Sequence, residues 1–167
     1  MKVLTIAVRA IIGYWLFFVF ALIFPISANA EVSIVNMNFA SGTFIYNPRT
    51  LHWQAINSKG KVVRAGHGSG GRNYCPDTRR RCRTPTGTFH IISKRGAACK
   101  SSVYPIGRGG SPMPYCMFFS KYYAVHGSYH VPNYNASHGC IRITPNDAHW
   151  LYNNFMSIGT KVIVKPY

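Results

Sequence analysis

From residue 43 onward, apolar and polar residues alternate in short runs, the period expected of half-buried strands. Thr43–Tyr46 and Leu51–Ile56 are rich in β-formers and flank Asn47-Pro48-Arg49-Thr50, which predicts a hairpin turn. Asn57-Ser58-Lys59-Gly60 predicts a second turn and Lys61–Ala65 a third strand. Upstream, Val32, Ile34, Val35, Met37 and Phe39 give Val32–Phe39 a similar pattern. Further strands are expected at Thr88–Ile92, Met117–Ser120, Tyr123–His126 and Thr160–Lys165. Residues 66–86, rich in Gly, Arg and Cys, read as a loop. One segment predicts a helix. Thr144-Pro145-Asn146-Asp147 places an N-cap, a proline at the first helical position and an acid at the third. Trp150, Leu151, Asn154 and Phe155 then form a mainly apolar face, and Gly159 is a natural stop. Many short strands with one short helix predict a mainly β domain, a sandwich or a barrel-like fold.

The first thirty residues follow a different pattern. Lys2 and Arg9 precede an uncharged stretch from Ala10 to Ala30, almost wholly apolar between Ile11 and Phe24. Pro25 breaks the run, and Ala28-Asn29-Ala30 precedes Glu31 as an A-x-A cleavage signal. The expectation is a signal peptide at 1–30 and a single domain at 31–167. The competing reading is an uncleaved anchor, because a membrane span needs about 20 residues. Either way, residues 31–167 leave the cytoplasm.

Composition narrows the chemistry. The chain has 167 residues, 19 Lys plus Arg, 3 Asp plus Glu, and a net charge of +16. Removing Lys2 and Arg9 lowers this to +14 for residues 31–167. The acids are Glu31, Asp77 and Asp147. A glycosidase built on paired carboxylates is thereby excluded, as are carboxylate cages for calcium or magnesium. Hydrolytic or transfer chemistry must rest on Cys, His, Ser, Tyr or backbone groups.

Five cysteines are present: Cys75, Cys82, Cys99, Cys116 and Cys140. In an oxidising compartment four of them tend to pair and one is left over. Cys75–Cys82 and Cys99–Cys116 give the shortest loops, although four cysteines allow three connectivities. Cys140 is then the free thiol; the competing readings make it a disulfide partner or a small buried apolar residue. Its surroundings are distinctive. Val125–Ile143 reads VHGSYHVPNYNASHGCIRI, with three histidines and this cysteine in nineteen residues. A free thiol with a pKa of about 8.5 is a weak nucleophile near neutral pH, and a neighbouring imidazole activates it by taking the proton. Gly139 permits close approach to the backbone, and amides around Cys140 suit an oxyanion. Arg142, two residues on, suits a substrate carboxylate.

Ser137-His138-Gly139-Cys140-Ile141-Arg142-Ile143, preceded by His126-Gly127-Ser128, resembles the signature of the L,D-transpeptidase catalytic domain (YkuD-like) family. Thr84-Pro85-Thr86-Gly87-Thr88-Phe89 resembles that family's upstream strand, and Asp147 through Leu151 to Gly159-Thr160-Lys161-Val162 resembles its tail. The likeness covers roughly residues 33–165, and each motif alone would be weak. It implies an L,D-transpeptidase-like β-sandwich with one short helix after the catalytic cysteine. It also implies a peptidoglycan-remodelling enzyme with Cys140 as nucleophile and His126 as general base. Ser128, Ser137, His138, Gly139 and Arg142 become the oxyanion and substrate-binding candidates.

In such enzymes the cysteine attacks the diaminopimelate–D-Ala bond of a stem tetrapeptide, D-Ala leaves, and an amine or water resolves the thioester. Neither metal nor other cofactor is needed, and the family is acylated by carbapenems. The expected partners are peptidoglycan stem peptides and anionic envelope polymers, the latter drawn by the positive charge. No nucleic acid, no membrane span after cleavage and a monomer are expected, in the periplasm of a Gram-negative bacterium or secreted.

Two departures stand out. His126 and Cys140 are 14 positions apart, shorter than in many relatives, and the single domain expected at 31–167 implies no attached peptidoglycan-binding module. The cysteine-bearing insert and compact loop resemble the single-domain enhanced entry proteins of some intracellular bacteria.

Competing roles remain for several residues. His130 is a rival base, and His138 suits an orienting role in the turn. His126, His130, His138 and Cys140 together raise a zinc site, though their spacing is not a familiar zinc pattern. Arg79-Arg80-Arg81-Cys82-Arg83 reads as a solvated loop or an envelope-polymer contact rather than a nucleic-acid patch. Tyr122, Tyr123, Tyr129 and Tyr134 suit either a substrate channel or ordinary sheet surface. The runner-up function is a non-catalytic basic protein that binds the envelope or a host surface on the same scaffold.

Overall fold

The computed structural model describes residues 42–167. The signal-peptide expectation at 1–30 and the strand expectation at Val32–Phe39 lie outside them. The first sheet grows from the alternation at its centre. In β1 (Thr43–Asn47) the side chains of Phe44 and Tyr46 are buried, and in β2 (His52–Ile56) those of Trp53 and Ala55. Antiparallel pairing sets Phe44 opposite Ala55 and Tyr46 opposite Trp53, so all four share one face. Phe44 and Trp53 stack at 5.7 Å between centroids. The turn between the strands has the four residues expected but is shifted by one, to Pro48–Leu51. Leu51 adopts φ 56° and belongs to the turn, so the strand starts at His52.

The strand β3 (Val62–His67) pairs with β2, and Gly66 and His67, expected in a loop, belong to it. The last strand, β9 (Lys161–Val164), runs parallel to β1 and sets Val162 beside Phe44 and Val164 beside Tyr46. On its other side it pairs antiparallel with β4 (Gly87–His90). The order in this five-stranded sheet is β3-β2-β1-β9-β4.

The second sheet has four strands in the order β5-β6-β7-β8. They are β5 (Ser93–Lys94), β6 (Met117–Phe118), β7 (Ala124–Gly127) and β8 (Ile141–Ile143). The elements β5 and β8 have two and three residues, too few for periodicity to reveal. The helix α1 (Pro145–Asn154) follows β8 directly and packs on β7. Thr144 caps it as expected, its hydroxyl accepting from the Asp147 amide. The buried face is carried by Ala148 and Leu151, with Phe155 as C-cap. Asn154, expected on that face, is exposed and donates its side-chain amide to the Trp150 carbonyl.

The core lies between the sheets and under the helix: Phe44, Tyr46, Trp53, Val162 and Val164 meet Val125, Ile141, Ile143, Leu151 and Met156. The two sheets with one helix make the mainly β fold expected from the sequence. Among the described residues no helix is long and apolar enough to cross a membrane.

The segment after β3 ties the first sheet to the second. Ser69 exchanges backbone bonds with Arg142, its amide donating at 2.8 Å and its carbonyl accepting at 2.9 Å. Gly71 bridges to Ser137. A Cβ at Gly71 would lie 1.9 Å from the Cys82 carbonyl oxygen, so the close approach there requires glycine.

Candidate active site

The site is built on the parallel ladder between β7 and β8. Val125 pairs with Ile141, His126 with Arg142 and Gly127 with Ile143. Side chains alternate across a sheet, so Val125, Ile141 and Ile143 enter the core. His126 and Arg142 share the other face, and Cys140, two residues before Arg142, shares it too. His126 thus lies opposite Arg142 on this face, and Cys140 immediately precedes β8. The 13 residues between them, 127–139, form the end of β7 and the connection to β8. His130 lies in that connection and is exposed. Its amide donates to Ser128 Oγ, which in turn donates to the His130 carbonyl.

The His126 ring is buried, and its Nδ1 lies 2.8 Å from the Gly127 carbonyl oxygen. A carbonyl only accepts, so Nδ1 carries the proton and Nε2 of the neutral ring is a bare lone pair. Burial pushes the His126 pKa down to about 4, partly countered by the Gly127 bond and reinforced by the Arg142 charge. Burial pushes the Cys140 thiol up, opposed by the Ala124 backbone and by Arg142. Both shifts favour uncharged forms. The resting groups are therefore a neutral imidazole and a thiol.

Cys140 is the free cysteine among the described residues, half-buried. Disulfides join Cys75 to Cys82 and Cys99 to Cys116, the pairing with the two shortest loops. Cys140 packs beside the second disulfide, in a cluster with Met113, Ala124 and Phe118. Its Sγ faces the Tyr122 carbonyl at 3.9 Å.

The turn before Cys140 is held internally. Ser137 Oγ donates to the Cys140 carbonyl and accepts from the Gly139 amide at 3.0 Å. The Gly139 N–H is thus committed to Ser137, and the Cys140 N–H is the donor of this turn closest to the sulfur. Gly139 adopts φ 124°, and a Cβ there would lie 2.3 Å from the Tyr123 ring. The turn therefore admits only glycine, and Tyr123 is packing rather than channel. Tyr122, Tyr129 and Tyr134 are exposed.

Arg142 is half-buried with its guanidinium in the same electrostatic neighbourhood as Cys140, Arg72 and Tyr134. Two guanidinium groups around one site attract an anion. Arg72 itself donates to the Ala136 carbonyl at 2.6 Å.

His138 turns to a different set of partners. Its Nε2 lies 2.7 Å from Asp77 Oδ2, and its ring stacks on Tyr104. The four residues of the zinc reading are therefore not gathered at one point. The His, Cys and acid atoms that do converge among the described residues belong to Cys75, Asp77 and His138, and Cys75 is in a disulfide. Asp77 and Tyr104 escaped the sequence reading. The signal available was the rarity of acids, which makes any one of them conspicuous. Arg79, Arg80, Arg81 and Arg83 are all exposed.

The model of the YkuD L,D-transpeptidase catalytic domain matches residues 43–164, and the chain belongs to that family. Among solved structures, an L,D-transpeptidase from Xylanimonas cellulosilytica is 30% identical with a TM-score of 0.63, the match covering 74% of this chain and 59% of that one. An L,D-transpeptidase from Mycobacterium smegmatis is 23% identical (TM-score 0.62, 76% and 59% covered). L,D-transpeptidase 3 from Mycobacterium tuberculosis, solved with a faropenem-derived adduct, is 22% identical (TM-score 0.61, 75% and 60% covered). The chain thus spans about three-fifths of the length of these solved chains. No curated protein matches it.

Proposed function

We propose that the protein is an exported L,D-transpeptidase that remodels peptidoglycan, with Cys140 as nucleophile and His126 as general base. The observation that carries this reading is the placement of a free thiol and a lone-pair-bearing imidazole on one face of the β7–β8 ladder. Cys140 Sγ attacks the carbonyl carbon of the diaminopimelate–D-Ala bond while His126 Nε2 takes the thiol proton. The oxyanion forms beside the Cys140 N–H, where preorganised donors act most strongly. The C–N bond breaks, the proton passes from His126 to the departing D-Ala amine, and the peptide remains on sulfur as a thioester. An acceptor amine then attacks, His126 removes its proton, and the C–S bond breaks to restore the thiol. Water in place of the amine gives a carboxypeptidase side activity.

Arg142 binds a carboxylate of the stem peptide. Ser137 and Ser128 shape the loops at the two ends of the β7–β8 connection. The +14 of residues 31–167 draws a monomeric enzyme to anionic envelope polymers. The two disulfides fit an oxidising compartment, and the Gram-negative periplasm is the compartment proposed, reached through the signal peptide at 1–30.

Intact-mass spectrometry after exposure to a carbapenem tests the reading. A single adduct is expected, lost in Cys140→Ala. The absence of an adduct under both reducing and oxidising conditions would leave the runner-up, a non-catalytic basic binding protein, in its place.

A further inference from the structure

Both disulfide-closed loops end on the same side chain. The 75–82 loop brings Asp77 Oδ2 to 2.7 Å from His138 Nε2. The 99–116 loop lays the Tyr104 ring on the opposite partner of that contact, the imidazole itself, with centroids 4.1 Å apart and planes 26° apart. His138 is two residues from Cys140, in the turn closed by Ser137 Oγ.

The choice of partner is informative. Asp77 has Arg79, Arg80, Arg81 and Arg83 within six positions, any of which would be a stronger cation. Among the described residues its side-chain partner is nonetheless the histidine. Asp147, the other acid there, pairs with Arg64 at 2.8 Å and braces the helix start.

We propose that Asp77 is a positioning residue for the reaction and Tyr104 its counterpart on the other side. Together they clamp His138, and through it the turn that presents Cys140. The Cys75–Cys82 disulfide is the fixed arm that holds Asp77 in place. Asp77 accepts a hydrogen bond, so the proton sits on Nε2 of His138 and the ring cannot turn over without losing the bond. Stacking on Tyr104 fixes the remaining freedom, the tilt of the plane. The two loops have little regular structure of their own, only the Cys75–Arg80 and Lys100–Pro112 bridges. Their crosslinks supply the rigidity that a positioning contact requires. This inference rests on the reading of Cys140 as the nucleophile.

The test measures Cys140 alkylation by iodoacetamide and acylation by a carbapenem in purified protein. Asp77→Asn keeps both disulfides and changes a half-exposed carboxyl, so it should fold normally. It is expected to slow both reactions about tenfold to a hundredfold, the scale of a small misplacement of reacting groups, with Tm unchanged. Asp77→Glu should restore part of the rate. Cys75→Ser with Cys82→Ser should slow the reactions by a similar factor, and adding Asp77→Asn to that pair should slow them no further, because both changes remove one contact.

Wild-type rates in Asp77→Asn, or losses that multiply in the combined variant, would overturn the clamp. Alkylation needs no peptidoglycan-like substrate. A wild type that takes no carbapenem would therefore refute the enzyme reading, while the alkylation ratios still decided the clamp.

Discussion

The two faces of the β7–β8 ladder have the same backbone and opposite tasks. One buries Val125, Ile141 and Ile143 with no exposed surface. The other presents His126, Cys140 and Arg142, three groups that burial penalises. The core face is stabilised by removing apolar area from water, an interaction without direction. The site face depends on direction: one carbonyl on Nδ1, one register between two strands. The comparison teaches that the dry face supplies the rigidity and the polar face uses it. Short strands suffice for the site because the core beneath them is packed.

The two faces should therefore fail differently when altered. The largest effect is expected on the polar side. His126→Gln removes the proposed base and should slow carbapenem acylation by about 10²–10⁴-fold, with little change in Tm. An unaffected rate would pass the role of base to His130. On the dry side, Ile141→Ala should destabilise the protein by about 2–5 kcal/mol, read as a lower urea midpoint. The folded fraction should keep its acylation rate, and a loss of rate without a loss of stability would contradict the division of labour.

The polar face also has a stability signature of its own. His126 titrates at about 4 when folded and near 6.5 when unfolded. Above pH 6.5 neither state holds the proton. Between pH 6.5 and about 4 the unfolded chain binds it and the native protein does not, so stability falls as pH falls through that window. The loss approaches about 3 kcal/mol at its lower end. Urea unfolding from pH 7 to 4 should show this slope, and His126→Gln should flatten it. Asp77, held below the usual carboxylate range chiefly by His138 against its own desolvation, loses its contribution only at more acid pH.

The smallest effect is expected at the junction where β8 becomes α1. Thr144→Ala removes the cap on Asp147 and should cost about 1 kcal/mol with no change in acylation rate. A change in rate would show that the helix start, and not the ladder alone, sets the site.

Much of this molecule was legible along the chain. Alternation located β1, β2 and β9 because their apolar residues sit on one buried face. The Thr-Pro-Asn-Asp string located α1 because capping is local chemistry. Cys140 and His126 stood out because one cysteine is left over from pairing and the SHGC string with HG upstream is specific. Other features were not legible for definite reasons. Leu51 reads as a strand residue but takes a left-handed turn. Asn154 has helical spacing with Leu151 but lies beyond the rim of the buried face. The residue pair Asp77 and His138 is 61 positions apart, and no local pattern connects them.

The sequence by itself determined the composition of the chemistry: a thiol and imidazoles, almost no carboxylates, a strongly positive charge, and strands whose buried residues recur every second position. These depend on residue type and near neighbours, which the chain states directly. Tertiary structure decided which imidazole is buried on the β7–β8 ladder, which of its nitrogens is hydrogen-bonded to backbone, and which side chains hold the turn. Those outcomes depend on strand register and on loops closed across long stretches of chain, where the free energy of one contact is set by all the others that pack beside it.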